Sequence, residues 1–250
     1  MSMKIVRVVT MTVSFIIVVM GAQPFLAMSQ ESPRPPFVAG EELVFDVLYK
    51  QVKLGEATLT FHGDSHLDGK DFYYVTFVTK VPGFDDTEEI YAYKDTFLPY
   101  KITRSIKRGG YFPLKITEDY DQKKHEVHIR RVGMLVAMGD TIRKSGPIHN
   151  PLLLTYYYRM QSLSSLPASY PVSIPKADFE IVLKGKQFVK TKLGGRVVYV
   201  FKGEPSKFTF WLTADEKKLP VEIRGHNLFD YSFVIKSVGN SATQSALKRR

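Results

Sequence analysis

The chain has 250 residues, 44% of them hydrophobic, a formal net charge of +10 and no cysteine. It can bury a large core as one domain. Disulfides, thiolate metal sites, cysteine nucleophiles and a lipid anchor on a cleavage-site cysteine are excluded.

Residues 1–29 read as an export signal. Lys4 and Arg7 form a short basic region, and no acid precedes Glu31. Val8–Ala22 is apolar apart from three hydroxyl residues, shorter than the roughly 18 residues a membrane span needs, and small residues follow it. Ala27-Met28-Ser29 predicts cleavage after Ser29. Cleavage after Ala27 and retention as an inner-membrane anchor are the alternatives. The expected location is the periplasm, for a protein that is not a lipoprotein. Without Lys4 and Arg7, 33 basic residues face 25 acidic ones, a net charge of +8. In that compartment such a surface suits lipid phosphates, lipopolysaccharide or another anionic envelope component, and no nucleic acid is expected.

Residues 30–39 are a proline-rich lead-in. Leu43, Phe45, Val47 and Tyr49 then alternate with Val44, Asp46, Leu48 and Lys50, and Gly55–Phe61 repeats the pattern. Period two marks strands with one core face, so Glu41–Phe61 reads as a hairpin. His62–Lys70 reads as a turn. Phe72–Thr79 is apolar on both faces and is expected to be central. Pro82-Gly83 ends it, and Glu88–Lys94 and Leu98–Arg108 follow. Gly109-Gly110 is a hairpin signal. Tyr111–Asp121 and His125–Met138 come next, the latter interrupted near Gly133.

Asn150 as cap and Pro151 at the first helical position start a helix near residues 151–163. Its LLLTYYYRM run is apolar nearly all round and predicts burial. Strands resume at about Ser169–Ile174, Phe179–Leu183, Gln187–Lys192, Arg196–Lys202, Lys207–Leu212, Pro220–Gly225 and Leu228–Val238. Residues 239–250 look like a disordered basic tail. The expected fold is all-β: a single antiparallel meander of about twelve strands over residues 40–238, forming a half-open roll or barrel with one buried helix. A sandwich is equally compatible with the pattern.

The opening GEELVFDVLYKQVKLGEATL, the central NPLLLTYYYRM and the late WLTADEKKLPVEI occur in that order. In these the chain resembles the domain of unknown function 3108 family, exported proteins of Gram-negative bacteria, over roughly residues 38–238. Gly40-Glu41, Gly55 and Trp211…Asp215…Pro220 are the sharpest points. The resemblance implies an envelope location and a mostly antiparallel β fold, and it carries no activity and no catalytic residue.

Histidines 62 and 66 lie at a strand end and in a turn. Those at 125 and 128 fall on opposite faces of a strand, and His149 and His226 are isolated, so no metal site is expected. Asp85, Asp86, Glu88 and Glu89 match no calcium loop and read as a solvated turn. Ser145-Gly146 and Ser206 lack a nucleophile's strained elbow. No cofactor and no catalytic residue are assigned.

Tyr156, Tyr157 and Arg159 of the helix, the lone Trp211 and Lys101 are the candidate ligand contacts. The tyrosines would line a β cavity, while Arg159 and Lys101 would meet an anionic head group. Core packing of the aromatic residues is the competing reading. The basic pairs Arg130 and Arg131, Lys184 and Lys186, and Lys190 and Lys192 also suit ordinary solvated faces. The expected function is non-enzymatic binding of an apolar or amphiphilic envelope component, a lipid or glycolipid. The alternatives are an envelope interaction protein acting through a sheet edge and a carbohydrate-active enzyme.

Overall fold

The computed structural model describes residues 35–134, 137–163, 165–205, 208–225 and 231–240. The leader, Ser206, His226, the 226–230 connection and most of the basic tail lie outside the described residues. Eight strands come first: β1 Glu41–Tyr49, β2 Val52–Leu67, β3 Lys70–Val81, β4 Phe84–Ala92, β5 Pro99–Arg108, β6 Leu114–Asp121, β7 Glu126–Val132 and β8 Ala137–Arg143. Helix α1, Pro151–Met160, follows. Six more strands complete the chain: β9 Ser169–Ile174, β10 Ala177–Thr191, β11 Gly194–Glu204, β12 Phe208–Thr213, β13 Pro220–Gly225 and β14 Tyr231–Asn240.

All fourteen strands form one antiparallel sheet in the order β8-β7-β6-β5-β4-β3-β2-β1-β14-β13-β12-β11-β10-β9. Each half is a meander, and β1 and β14 join the halves at the centre. The sheet is open, with β8 and β9 as its two edges. This is the expected all-β roll, with fourteen strands where the sequence suggested about twelve.

The differences are local. β2 runs on to Leu67 through a bulge at Gly63, and the turn is Asp68-Gly69 alone. The expected strands at 179–183 and 187–192 are one strand, β10, bent where Leu183 gives way to Gly185. The segment from His125 to Met138 is a hairpin rather than one interrupted strand.

Hairpin chemistry sets the register. Lys50 and Gln51 both hold positive φ and join Tyr49 to Val52 in a two-residue loop, the backbone twist that matches paired strands. Asp68-Gly69 does the same between β2 and β3. Gly55 is required for a different reason. A Cβ there would lie 2.1 Å from the Lys80 carbonyl oxygen.

The helix starts as its sequence indicates. Asn150 Oδ1 accepts from Leu152 N at 2.9 Å and Leu153 N at 3.3 Å. At the other end Lys218 Nζ donates to the Arg159 carbonyl at 3.0 Å and to that of Gln161, which offsets the negative helix terminus.

Two faces of α1 are buried. Tyr156 packs among Phe37, Phe61 and Phe97 of the N-terminal half, and Tyr158 against Phe201 and Phe210 of the C-terminal half. One sheet can satisfy both faces only by curling around the helix. Arg159 fixes the depth. It is fully buried, and its guanidinium donates to both oxygens of Glu41 at 2.6 and 2.8 Å and to the Lys217 carbonyl at 3.2 Å. Outside the roll, the tip of the β10–β11 hairpin brings Lys192 onto Asp46 of β1, which Lys53 also meets at 2.7 Å.

Removing the Glu41 carboxylate strands a buried guanidinium. Glu41→Ala is expected to lower unfolding free energy by about 3–5 kcal/mol in urea titrations. Gly55→Ala is expected to cost about 1–3 kcal/mol by overpacking. A wild-type midpoint for the Gly55 variant would mean that the Lys80 carbonyl moves aside freely.

Candidate functional site

A ten-residue helix is about 15 Å long, while a sixteen-residue strand such as β2 extends about 50 Å. The helix therefore fills only part of the trough. Beside its N-terminus lies a cavity of about 1010 Å³. Its apolar walls include Val47, Phe77, Ile102, Ile116, Leu152 and Phe233.

Across this wall runs a polar band. Asp86 and Glu88 share the inner face of β4 with Ile90, Arg104 sits between Ile102 and Ile106 on β5, and Glu118 and Tyr120 follow Ile116 on β6. Arg104 Nε donates to both Asp86 oxygens at 2.9 Å and lies 3.4 Å from Glu88 Oε1. The Tyr120 hydroxyl donates to Glu118 Oε2. Arg131 of β7 also lines the cavity and pairs with Asp140 at 2.6 Å.

Burial pushes the Glu88 carboxyl up to about 7, against the nearby Arg104 charge and helped by Asp86 and Glu118. Burial and the Glu118 charge likewise hold the Tyr120 hydroxyl well above its usual value. Burial also lowers His149 on the lining from the C-terminal half. The band is thus rich in hydrogen-bond acceptors, and one of its carboxyls exchanges a proton near neutral pH.

The acidic group after Pro82-Gly83 is therefore a strand and not a solvated turn. Asp86 and Glu88 point inward and Asp85 and Glu89 outward. Sequence reasoning missed this because charges seldom occupy an inner row. The available signal was parity: both acids fall in step with Ile90.

None of Tyr156, Tyr157, Arg159, Trp211 and Lys101 lines the large cavity. Tyr156 is core, and its hydroxyl has no hydrogen-bond partner among the described residues. Arg159 is enclosed with Glu41 and stacks 4.8 Å from the Phe37 ring centre. Trp211 lies on the opposite face of β12 from Phe210, beneath the Arg224 guanidinium at 5.2 Å. Lys101 pairs with Asp119 at 3.4 Å on the outer face of β5.

Tyr157 lines a smaller pocket of about 210 Å³ with Tyr158, Tyr170 and Phe201. Burial and the neighbouring Tyr170 raise its hydroxyl to about 12. The histidines at 62, 66 and 128 hydrogen-bond Thr76, Asp71 and Thr141 on exposed surface. Among the described residues no three acidic or histidine side chains converge as a metal site.

A family described as Protein of unknown function (DUF3108) matches residues 44–230, three quarters of the chain. The chain belongs to this family. The match confirms the resemblance over a slightly narrower span than 38–238. It takes in the polar band, Gly55 and Arg159, and leaves Glu41 just outside. No curated protein matches the chain. For this DUF3108 protein the chemistry of the site must therefore be argued from its own residues.

Glu88 gives the fold a pH dependence. Between its ordinary value of 4.5 and about 7, the folded state holds a proton that the unfolded chain has released. Stability must fall as pH rises through that window and level off above it. Asp46 acts in the other direction and in another range. Its burial is outweighed by Lys192 and Lys53, which hold its carboxyl below 3.8, so its contribution is lost only in stronger acid. Glu88→Gln is expected to flatten the curve between pH 5 and 7 and to raise stability at pH 8 by on the order of 2–3 kcal/mol. An unchanged slope in denaturant titrations across that range would show that Glu88 titrates normally.

Proposed function

We propose that this DUF3108 protein is a non-enzymatic periplasmic carrier of an amphiphilic lipid. The single observation that carries the reading is the cavity, an apolar trough of about 1010 Å³ crossed by one acceptor-rich band. A volume of this order is that of a ligand site rather than a packing defect. Acyl chains would lie along Val47, Phe77, Ile102 and Phe233, and hydroxyl or amine donors of the head group would meet Glu88 and Glu118. Three carboxylates against Arg104 and the paired Arg131 make the band poorly suited to a phosphate. The basic, acid-free leader with its apolar run supports export to the envelope.

Glycoside hydrolysis receives less support. Asp86, Glu88 and Glu118 lie on neighbouring strands of one wall, and the lining from the C-terminal half carries no carboxylate. No pair therefore brackets a substrate from two sides as that chemistry needs. A second reading, strand pairing with an envelope protein, is supported by edge strand β8, which is exposed along nearly its whole length. The charges of Asp140 and Arg143 along this edge are also a usual means of blocking such pairing.

Displacement of a fluorescent fatty acid by a sixteen-carbon monoacylglycerol should be saturable. Binding should hold at high salt, because the chain sets the affinity at about 0.8 kcal/mol per buried methylene. Lysophosphatidylglycerol, whose charge is constant from pH 6 to 8, should bind more weakly and lose affinity as Glu88 ionises. Ile116→Trp displaces about two methylenes, or about 1.6 kcal/mol and roughly a fifteen-fold loss. If neither lipid binds saturably at pH 6 or 8, the carrier reading is wrong.

A further inference from the structure

In an antiparallel meander, alternate hairpins emerge at the same end of the sheet. The β1–β2, β3–β4, β5–β6 and β7–β8 tips therefore share one end, and it is the end where Leu54, Val81, Pro82 and Arg131 line the cavity. Two of these tips are joined directly: Gly109 N donates to the Gly83 carbonyl at 2.8 Å.

This rim has an unusual surface. Tyr111 is 76% exposed, Phe112 63% and Val52 63%, and Met134 and Met138 of the β7–β8 hairpin are exposed too. The tips at the other end of the same strands, residues 68–69, 93–98 and 122–125, expose no large apolar side chain among the described residues. The rim also holds unpaired cations. Lys50, Lys107 and Arg108 are exposed and make no ion pair among the described residues, whereas Lys53 and Arg131 are paired. The rim's outward carboxylates are Asp85, cross-strand from Lys107, Asp140, taken by Arg131, and Asp46 and Glu56, both taken by Lys53.

Exposed aromatic residues flanked by cations without a carboxylate partner are the combination that holds a protein at a bilayer interface. Rings settle at head-group depth, and each cation near an anionic surface adds about 1 kcal/mol. We propose that this rim docks on an anionic lipid bilayer, with Tyr111 and Phe112 entering the head-group region and Lys50, Lys107 and Arg108 meeting lipid phosphates. Docking in this orientation sets the cavity mouth against the membrane, so a lipid would pass between bilayer and trough without crossing water. The proposal rests on the carrier reading for its purpose, but docking itself is measured without any cavity ligand.

Co-sedimentation of the protein with phosphatidylcholine vesicles, with and without phosphatidylglycerol, tests it. Binding is expected to the anionic vesicles and to weaken with salt. Lys107→Gln with Arg108→Gln removes two cations and should weaken partitioning roughly 30-fold. Tyr111→Ser with Phe112→Ser should weaken it on both vesicle types. Neither pair lines the cavity, so both variants should keep wild-type monoacylglycerol binding in solution. Failure of the wild type to sediment with anionic vesicles, or wild-type sedimentation by both variants, overturns the docking proposal. Docking that persists in a protein that binds no monoacylglycerol would instead overturn the carrier reading and leave the interface standing.

Discussion

The buried pair between Arg159 and Glu41 is the constraint on which the rest of the architecture depends. A guanidinium with no exposed surface must be matched by a carboxylate and further acceptors, or the folded state carries an uncompensated charge. Here the partners are 118 residues apart. Glu41 opens β1, the strand at the centre of the sheet, and Arg159 lies in the last turn of α1. The Lys217 carbonyl and Lys218 tie the same point to the β12–β13 loop. One ion pair thus holds the helix to the seam where the halves of the sheet meet. The flanking strands then have to rise around it to cover Tyr156 on one side and Tyr158 on the other.

The cavity follows from that anchoring. The helix is fixed by its C-terminal end, among Phe37, Phe61 and Phe97, and it is too short to reach along the whole trough. The unfilled part is lined by inner rows of β1 to β7, and four of those rows, β4 to β7, carry charge where a packed core would carry aliphatic residues. Asp86 and Arg104 can stay inside as a hydrogen-bonded ion pair, Glu118 accepts from the Tyr120 hydroxyl, and Glu88 is held toward its neutral form. Such a band adds little to stability. The raised Glu88 carboxyl shows that burial there works against the charged form. A group retained at a cost to the fold, facing an open volume, is better explained by what that volume binds than by packing.

The two ends of the roll differ in kind. One is closed by aromatic packing around Tyr156 and by polar turns. The other carries hairpin tips that expose rings and cations without an ion-pair partner.

Much of the fold was legible in the sequence because its signals are local. Period-two alternation marks most strands, and Asp68-Gly69, Pro82-Gly83 and Gly109-Gly110 mark their turns. Asn150-Pro151 marks the start of the helix. The errors also have local causes. Gly63 and Gly185 looked like breaks, but each only bends a continuous strand, since one residue in an unusual backbone conformation can be absorbed as a bulge. Arg159 looked like a head-group ligand because a cation on an apolar helix has no partner within reach in the sequence.

What the sequence determined by itself was an antiparallel meander around one buried helix, because alternation, turn chemistry and capping each act within a few residues. Only the tertiary structure decided that the sheet stays open and that Arg159 is sealed against Glu41. Only it turned Asp86 and Glu88 inward to meet Arg104 in a ligand-sized space. Those outcomes rest on contacts between residues far apart in the chain, and on how far a short helix can fill a long trough. Neither leaves a periodic trace in the sequence.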